Sequence, residues 1–160
     1  MKPEEPTICP RCQRPLVRGA LSAVELSICS GCEGVLVEQR SLIALMEAMS
    51  AEVARDIDPY QPLEALPDDG ARASCPRCGG ALTRFGYLGT SLVYPSRCGG
   101  CQVIWADPGE LGVMALLYAR TERRVSDGRA QEAQWQEALD KRVHAILKQR
   151  VINRLIGGDL

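Results

Sequence analysis

Eight cysteines set as four Cys-x-x-Cys pairs constrain this 160-residue chain more than any other feature. Cys9-Pro10-Arg11-Cys12 is followed, after sixteen residues, by Cys29-Ser30-Gly31-Cys32, and Cys75-Pro76-Arg77-Cys78, after nineteen, by Cys98-Gly99-Gly100-Cys101. Two intervening residues let a tight turn present both sulfurs to one ion, and a hairpin of this length returns the second turn opposite the first. The spacing therefore predicts two closed, tetrahedral four-thiolate sites holding two structural zinc ions per chain, with Cys9, Cys12, Cys29 and Cys32 as one ligand set and Cys75, Cys78, Cys98 and Cys101 as the other. Four thiolates hold iron as well as zinc, and spacing leaves that choice open. Disulfides and dithiol redox pairs are the competing readings. A redox Cys-x-x-Cys opens a helix in a larger α/β unit, whereas proline and glycine put these pairs in turns. The start, Met1-Lys2-Pro3-Glu4-Glu5-Pro6, has no apolar run behind its basic residue, and no stretch of 18 apolar residues follows. A soluble, cytoplasmic chain is expected, where thiols stay reduced and bind metal.

The module is duplicated. Val35-Leu36-Val37-Glu38, then Leu42 and Leu45, repeats as Ile104-Trp105-Ala106-Asp107, then Leu111 and Met114. The expected fold class is a small metal-stabilised α+β protein: two zinc ribbons built on short antiparallel hairpins, each followed by a short helix, plus a long C-terminal amphipathic helix. The expected divisions are 7–50 and 74–119 for the ribbons with their helices, 51–73 for a linker and 120–160 for the C-terminal segment. The linker carries Asp56, Asp58, Asp68 and Asp69 with Pro59, Pro62 and Pro67, which predicts irregular structure that Tyr60, Leu63 and Leu66 could pin to a ribbon. Val24, Leu26 and Ile28 alternate with polar neighbours, and Val93 between Leu92 and Tyr94 predicts the matching strand in the second copy. Gly31, Gly79, Gly80, Gly99 and Gly100 are expected to supply left-handed backbone at the turns. Leu42, Leu45, Met46 and Met49 make one helical stripe; Leu111, Met114, Ala115 and Tyr118 make another. Asp107 as N-cap, Pro108 at the first helical position and Glu110 closing a capping box predict the start of the second helix.

The run Cys98-Gly99-Gly100-Cys101-Gln102-Val103-Ile104-Trp105-Ala106-Asp107-Pro108-Gly109-Glu110-Leu111 resembles the closing half of the transcription factor IIB-type zinc-ribbon family, and Cys75 to Leu82 resembles its opening half. The second copy matches the family's closing pattern at Trp105, Asp107, Gly109, Glu110 and Leu111. In the first copy Gly34, Val35, Glu38 and Leu42 fit, while Leu36 replaces the tryptophan, Arg40 the glycine and Ser41 the glutamate. The resemblance covers residues 7–46 and 73–117. It implies a transcription-associated or nucleic-acid-binding role and the eight cysteines as metal ligands.

Residues 120–160 hold nine basic and six acidic side chains against a whole-chain net charge of -1, so any polyanion contact would be local. Across 129–148, Trp135, Ala138, Leu139, Val143, Ile146 and Leu147 lie on one side of a helix, with Lys141, His144 and Lys148 on the other and a Glu137 to Lys141 pair along it. Beyond Arg150, Val151, Ile152, Leu155 and Ile156 rotate off that stripe, and Gly157-Gly158 is a stop signal. His144, the one histidine, is not needed as a ligand. No metalloprotease, phosphate-loop, dinucleotide or nucleophile-elbow pattern occurs, so an enzyme is not expected. Two recognition roles compete. Nucleic-acid binding would use Arg77, Arg84 and Arg97, with Arg11, Arg14 and Arg18; a protein-interaction adaptor would use Trp135, Leu139, Val143 and Ile146, with self-association through the same helix. Trp105 reads first as packing and stays a candidate partner-surface residue, since aromatics on small modules become binding anchors. A third role, a thiolate-based redox or zinc sensor, would eject metal on oxidation.

Overall fold

A computed structural model describes residues 7–53, 58, 60–68, 70 and 72–156, with 150–156 as backbone alone. Asp56, Pro59, Asp69, Gly157 and Gly158 lie outside the described residues. The chain divides into two units, Met1–Thr121 and Glu122–Leu160.

The first unit is built on one antiparallel sheet to which both repeats contribute. β1 (Leu16–Leu21) pairs with β2 (Val24–Cys29), and β2 with β3 (Val35–Glu38). In the second repeat β4 (Thr83–Arg84) pairs with β5 (Ser96–Cys98), and β5 with β6 (Val103–Ala106). β3 then pairs with β6, giving the order β1-β2-β3-β6-β5-β4. The second hairpin is shorter than Val93 and its neighbours predict. Pro95 has no N–H to give a ladder, and residues 92–94 run irregularly, tied by Phe85 N–H to Pro95 O at 3.0 Å and Tyr87 N–H to Val93 O at 3.2 Å.

Alternation along the central strands splits the apolar side chains between two small cores. Val35, Val37, Ile104 and Ala106 face a core completed by Leu26, Leu42, Leu45, Met46 and Met114. Leu36, Val103 and Trp105 face the opposite way, toward Cys9, Cys29, Cys75, Cys98 and Leu82. A 3-10 turn, Gln39–Ser41, leads β3 into α1 (Leu42–Val53), whose expected stripe supplies Leu42, Leu45 and Met46 to the first core with Met49 packed beside them. α2 starts at Glu110 and runs to Ile156. This corrects the expectation of a separate short helix after the second ribbon. No proline interrupts residues 110–156, and the isolated glycines Gly112 and Gly128 cost about 1 kcal/mol each without breaking a helix. The helix also continues past Arg150. The described linker residues are held to the first unit: Leu63 and Leu66 pack against the core, Leu66 N–H reaches Leu92 O at 2.8 Å, and Arg120 donates to the carbonyls of Asp58 and Gln61. Tyr60 is exposed.

In the second unit the backbone is helical from Glu122 to Ile156, and the Glu137 to Lys141 pair forms at 2.7 Å. No helix among the described residues is long and apolar enough to cross a membrane.

Candidate metal centres and the contact between them

Each knuckle is a short turn closed by its own backbone. Cys9 N–H donates to Arg14 O at 2.8 Å and Gln13 N–H returns to Cys9 O at 3.1 Å; the second repeat copies this with Cys75 N–H to Gly80 O and Gly79 N–H to Cys75 O. The residue after each pair takes the left-handed conformation: Gln13 at φ 61, Glu33 at 63, Gly79 at 74 and Gln102 at 55. Of the five glycines expected there, Gly79 alone does so. The closing hydrogen bonds hold this conformation in the other three knuckles without glycine, at a small steric cost.

The turns aim N–H groups at the sulfurs. Arg11 N–H lies 3.3 Å from Cys9 Sγ, Gly31 N–H 3.3 Å from Cys29 Sγ and Cys101 N–H 3.4 Å from Cys98 Sγ. The four sulfurs of each repeat fall within 4.8 Å of one another. Cys9 and Cys32 are 3.6 Å apart, Cys12 and Cys29 3.2 Å, and Cys78 and Cys98 3.6 Å. Zinc–sulfur bonds of about 2.3 Å in a tetrahedron place sulfurs about 3.8 Å apart, so both sets fit the ion. They are too far apart for disulfide bonds of about 2.05 Å. The sulfurs of each site differ in acidity, and burial raises Cys9 and Cys75. The Cys32 N–H lowers Cys29 to about 6, and the Cys101 N–H lowers Cys98 to about 7. Burial pushes Cys32 up to about 12, and hydrogen bonding with Cys78 pushes Cys101 to about 12. One sulfur per site is thus poised as a thiolate near neutral pH, and metal binding displaces the remaining protons. With four thiolates the coordination shell is closed and has no position for substrate. The two sites hold structural zinc.

The repeats face each other across an approximate two-fold axis. Leu36 sits opposite its repeat equivalent Trp105, and around that pair Val35 opposes Ala106 and Val37 opposes Ile104. The knuckle arginines cross this junction in both directions. Arg11 of the first ribbon grips both carboxylate oxygens of Asp107 in the second, and Arg77 of the second pairs with Glu38 of the first at 2.6 Å. Asp107 also accepts the Trp105 indole N–H at 2.8 Å. Burial alone would raise its carboxyl, but the Arg11 and Trp105 hydrogen bonds bring it below the ordinary 3.8. Only half of the expected capping box forms: Glu110 accepts Asp107 N–H at 2.8 Å, while the Asp107 side chain turns to Arg11 and Trp105. Desolvation raises the Glu110 carboxyl above its ordinary value.

These contacts redistribute the expected partner surface. Trp105 is corrected from a surface candidate to a buried residue, 1 % exposed, because it closes the zinc-side core and stacks where a Cβ on Gly34 would stand 2.3 Å from its ring. Arg84 is likewise corrected. It is largely buried against Asp68 at 3.0 Å, Asp107 at 3.4 Å and Glu110 at 3.6 Å. Arg77 is half-exposed but committed to Glu38. Arg97 is exposed, over the Phe85 ring at 5.8 Å. Trp135, Leu139, Val143 and Ile146 are all exposed on α2. The reciprocal arginine pairs escaped sequence reading, although both signals were present: the same arginine in both Cys-Pro-Arg-Cys turns, and an acid at the end of each last strand.

Residues 8–48 match the transcription factor zinc-finger family. The first repeat is thus similar to a zinc ribbon of the transcription factor IIB type. The match covers about a quarter of the chain and falls on the copy whose closing run departs more from the family pattern. The second ribbon stands on its own cysteine geometry. No curated protein and no solved structure matches the chain.

Proposed function

We propose that this zinc-binding chain is a non-catalytic, transcription-associated adaptor of the reducing cytoplasm that recognises protein rather than nucleic acid. The observation that carries this reading is where the charges and apolar groups end up. Arg11, Arg77 and Arg84, three of the six ribbon arginines expected to meet a phosphate backbone, are engaged with Asp107, Glu38 and Asp68, which leaves Arg14, Arg18 and Arg97 exposed, and the ribbons' tryptophan, Trp105, is buried. Trp135, Leu139, Val143 and Ile146 instead stand exposed along one helix face, as in helix-in-groove recognition. The closed thiolate shells support a structural role for the metal.

Nucleic-acid binding is the second reading, favoured by the family match and by exposed Arg97. Fluorescence anisotropy with a mixed-sequence DNA duplex separates the two. The adaptor reading expects no saturable binding at physiological salt. Binding whose log affinity falls by about 0.9 per neutralised phosphate with log salt, and which Arg97→Ala weakens, would overturn it.

A further inference from the structure

α2 leaves the first unit at Thr121 and continues for more than thirty residues. A helix in water draws most of its stability from packing an apolar face, not from propensity. Here that face is bare: Trp135 is 68 % exposed, Leu139 44 %, Val143 46 %, Ile146 54 % and Leu147 52 %. At about 100° per residue, Trp135, Val143 and Ile146 lie within about 40° of Leu139, so the side chains form one line along the helix. Nothing in the adaptor reading says what covers it.

We propose that the occupant is a second copy of the same helix, packed antiparallel about Lys141. The apolar line reads nearly the same in both directions. Antiparallel pairing centred on Lys141 sets Leu139 against Val143, and Trp135 against Ile146 and Leu147, twice over by symmetry. The charges select this orientation. Residues 122–140 carry the five acids Glu122, Asp127, Glu132, Glu137 and Asp140 against three arginines, while 141–149 carry Lys141, Arg142 and Lys148 with no acid. Antiparallel packing lays the acidic half on the basic half and places Asp140 opposite Arg142. Parallel packing lays each half on its like and sets Glu132 against Glu132, which costs stability where the helices touch. This assignment rests on the adaptor reading's exposed helix face but names its partner, and it stands or falls without any nucleic-acid result.

Sedimentation equilibrium on the full zinc-loaded chain tests it. The expected result is a dimer of twice 17.4 kDa at micromolar concentration. Leu139→Ser with Val143→Ser and Ile146→Ser should give a monomer that keeps both zinc ions and the thermal melt of the first unit, so that loss of the dimer is not loss of fold. Glu132→p-benzoylphenylalanine should photocrosslink to the partner peptide around Lys148 and not to its own position in the partner. A monomer at 100 μM, a dimer untouched by the triple variant, or a crosslink between like positions would each overturn the proposal. A monomer would leave the protein-recognition reading to its own DNA-binding test.

Discussion

The two ribbons share a ligand plan yet are stabilised by different means around it. In the first, six residue pairs join β1 to β2, and the cross-junction pair Arg77–Glu38 is partly exposed. In the second, β4 and β5 share two pairs, and the deficit is met by packing: Trp105 over Gly34, Arg84 held by three carboxylates, and Leu63 and Leu66 of the linker laid against the core. Arg18 is the repeat counterpart of Arg84. Beside Arg18 lies an open groove of about 960 Å³ bordered by Leu16, Leu36 and Arg77, whereas Asp68 comes in from the linker to Arg84. A four-thiolate zinc site thus tolerates either a long ladder or a short one with a side-chain network, because metal supplies the common share of the folding free energy.

The largest effect should come from removing one site. Cys98→Ser with Cys101→Ser should leave one zinc by native mass spectrometry and cost on the order of 10 kcal/mol locally. Because β5 and β6 then lose their anchor beside a two-pair ladder, this variant should melt below its counterpart, Cys29→Ser with Cys32→Ser. Equal melting temperatures would remove the contrast between the ribbons. Next, Trp105→Ala should cost about 3–5 kcal/mol in urea unfolding, since it opens a cavity and strips Asp107 of a donor. Leu36→Ala, at the equivalent position without that donor, should cost less.

Gly34→Ala should cost about 1–3 kcal/mol, because its Cβ meets the indole. Adding Trp105→Leu should recover part of this, because the smaller side chain leaves room for the added Cβ. A double-mutant cycle with no coupling would disprove the close approach. The smallest effect separates the arginines. Arg11→Ala should cost about 2 kcal/mol as a charged, half-buried hydrogen-bond pair, and Arg77→Ala at most about 1 kcal/mol as a more exposed one. The Asp107 carboxyl lies below 3.8 in the folded chain, so its stabilisation is complete above that value and is lost as pH falls through the depressed one. In Arg11→Ala a carbon-13 titration should move the Asp107 midpoint upward; an unchanged midpoint would remove Arg11 as its cause.

Much of this was legible in the sequence, since thiolate spacing and helical stripes are local patterns. Cys-x-x-Cys at intervals of sixteen and nineteen residues gave both sites, and Leu42, Leu45 and Met46 gave the buried face of α1. The junction was less visible. Val35-Leu36-Val37 and Val103-Ile104-Trp105-Ala106 are unbroken apolar runs, which is how a strand buried on both faces reads, but such runs do not name their neighbour. What Trp105 packs against was hidden, because Gly34, and the Arg11 that shares its Asp107, come from the other repeat. The left-handed residues were missed for a different reason: hydrogen-bonded turns place Gln13, Glu33 and Gln102 where propensity alone would put glycine.

Zinc in both ribbons folds the joint sheet. Native mass spectrometry of the chain, with circular dichroism before and after a chelator, tests it most directly. Two zinc ions per chain, lost together with the β signal of the first unit, is the predicted result. A metal-free chain lighter by paired hydrogens, or a sheet that persists once both ions are gone, would contradict it.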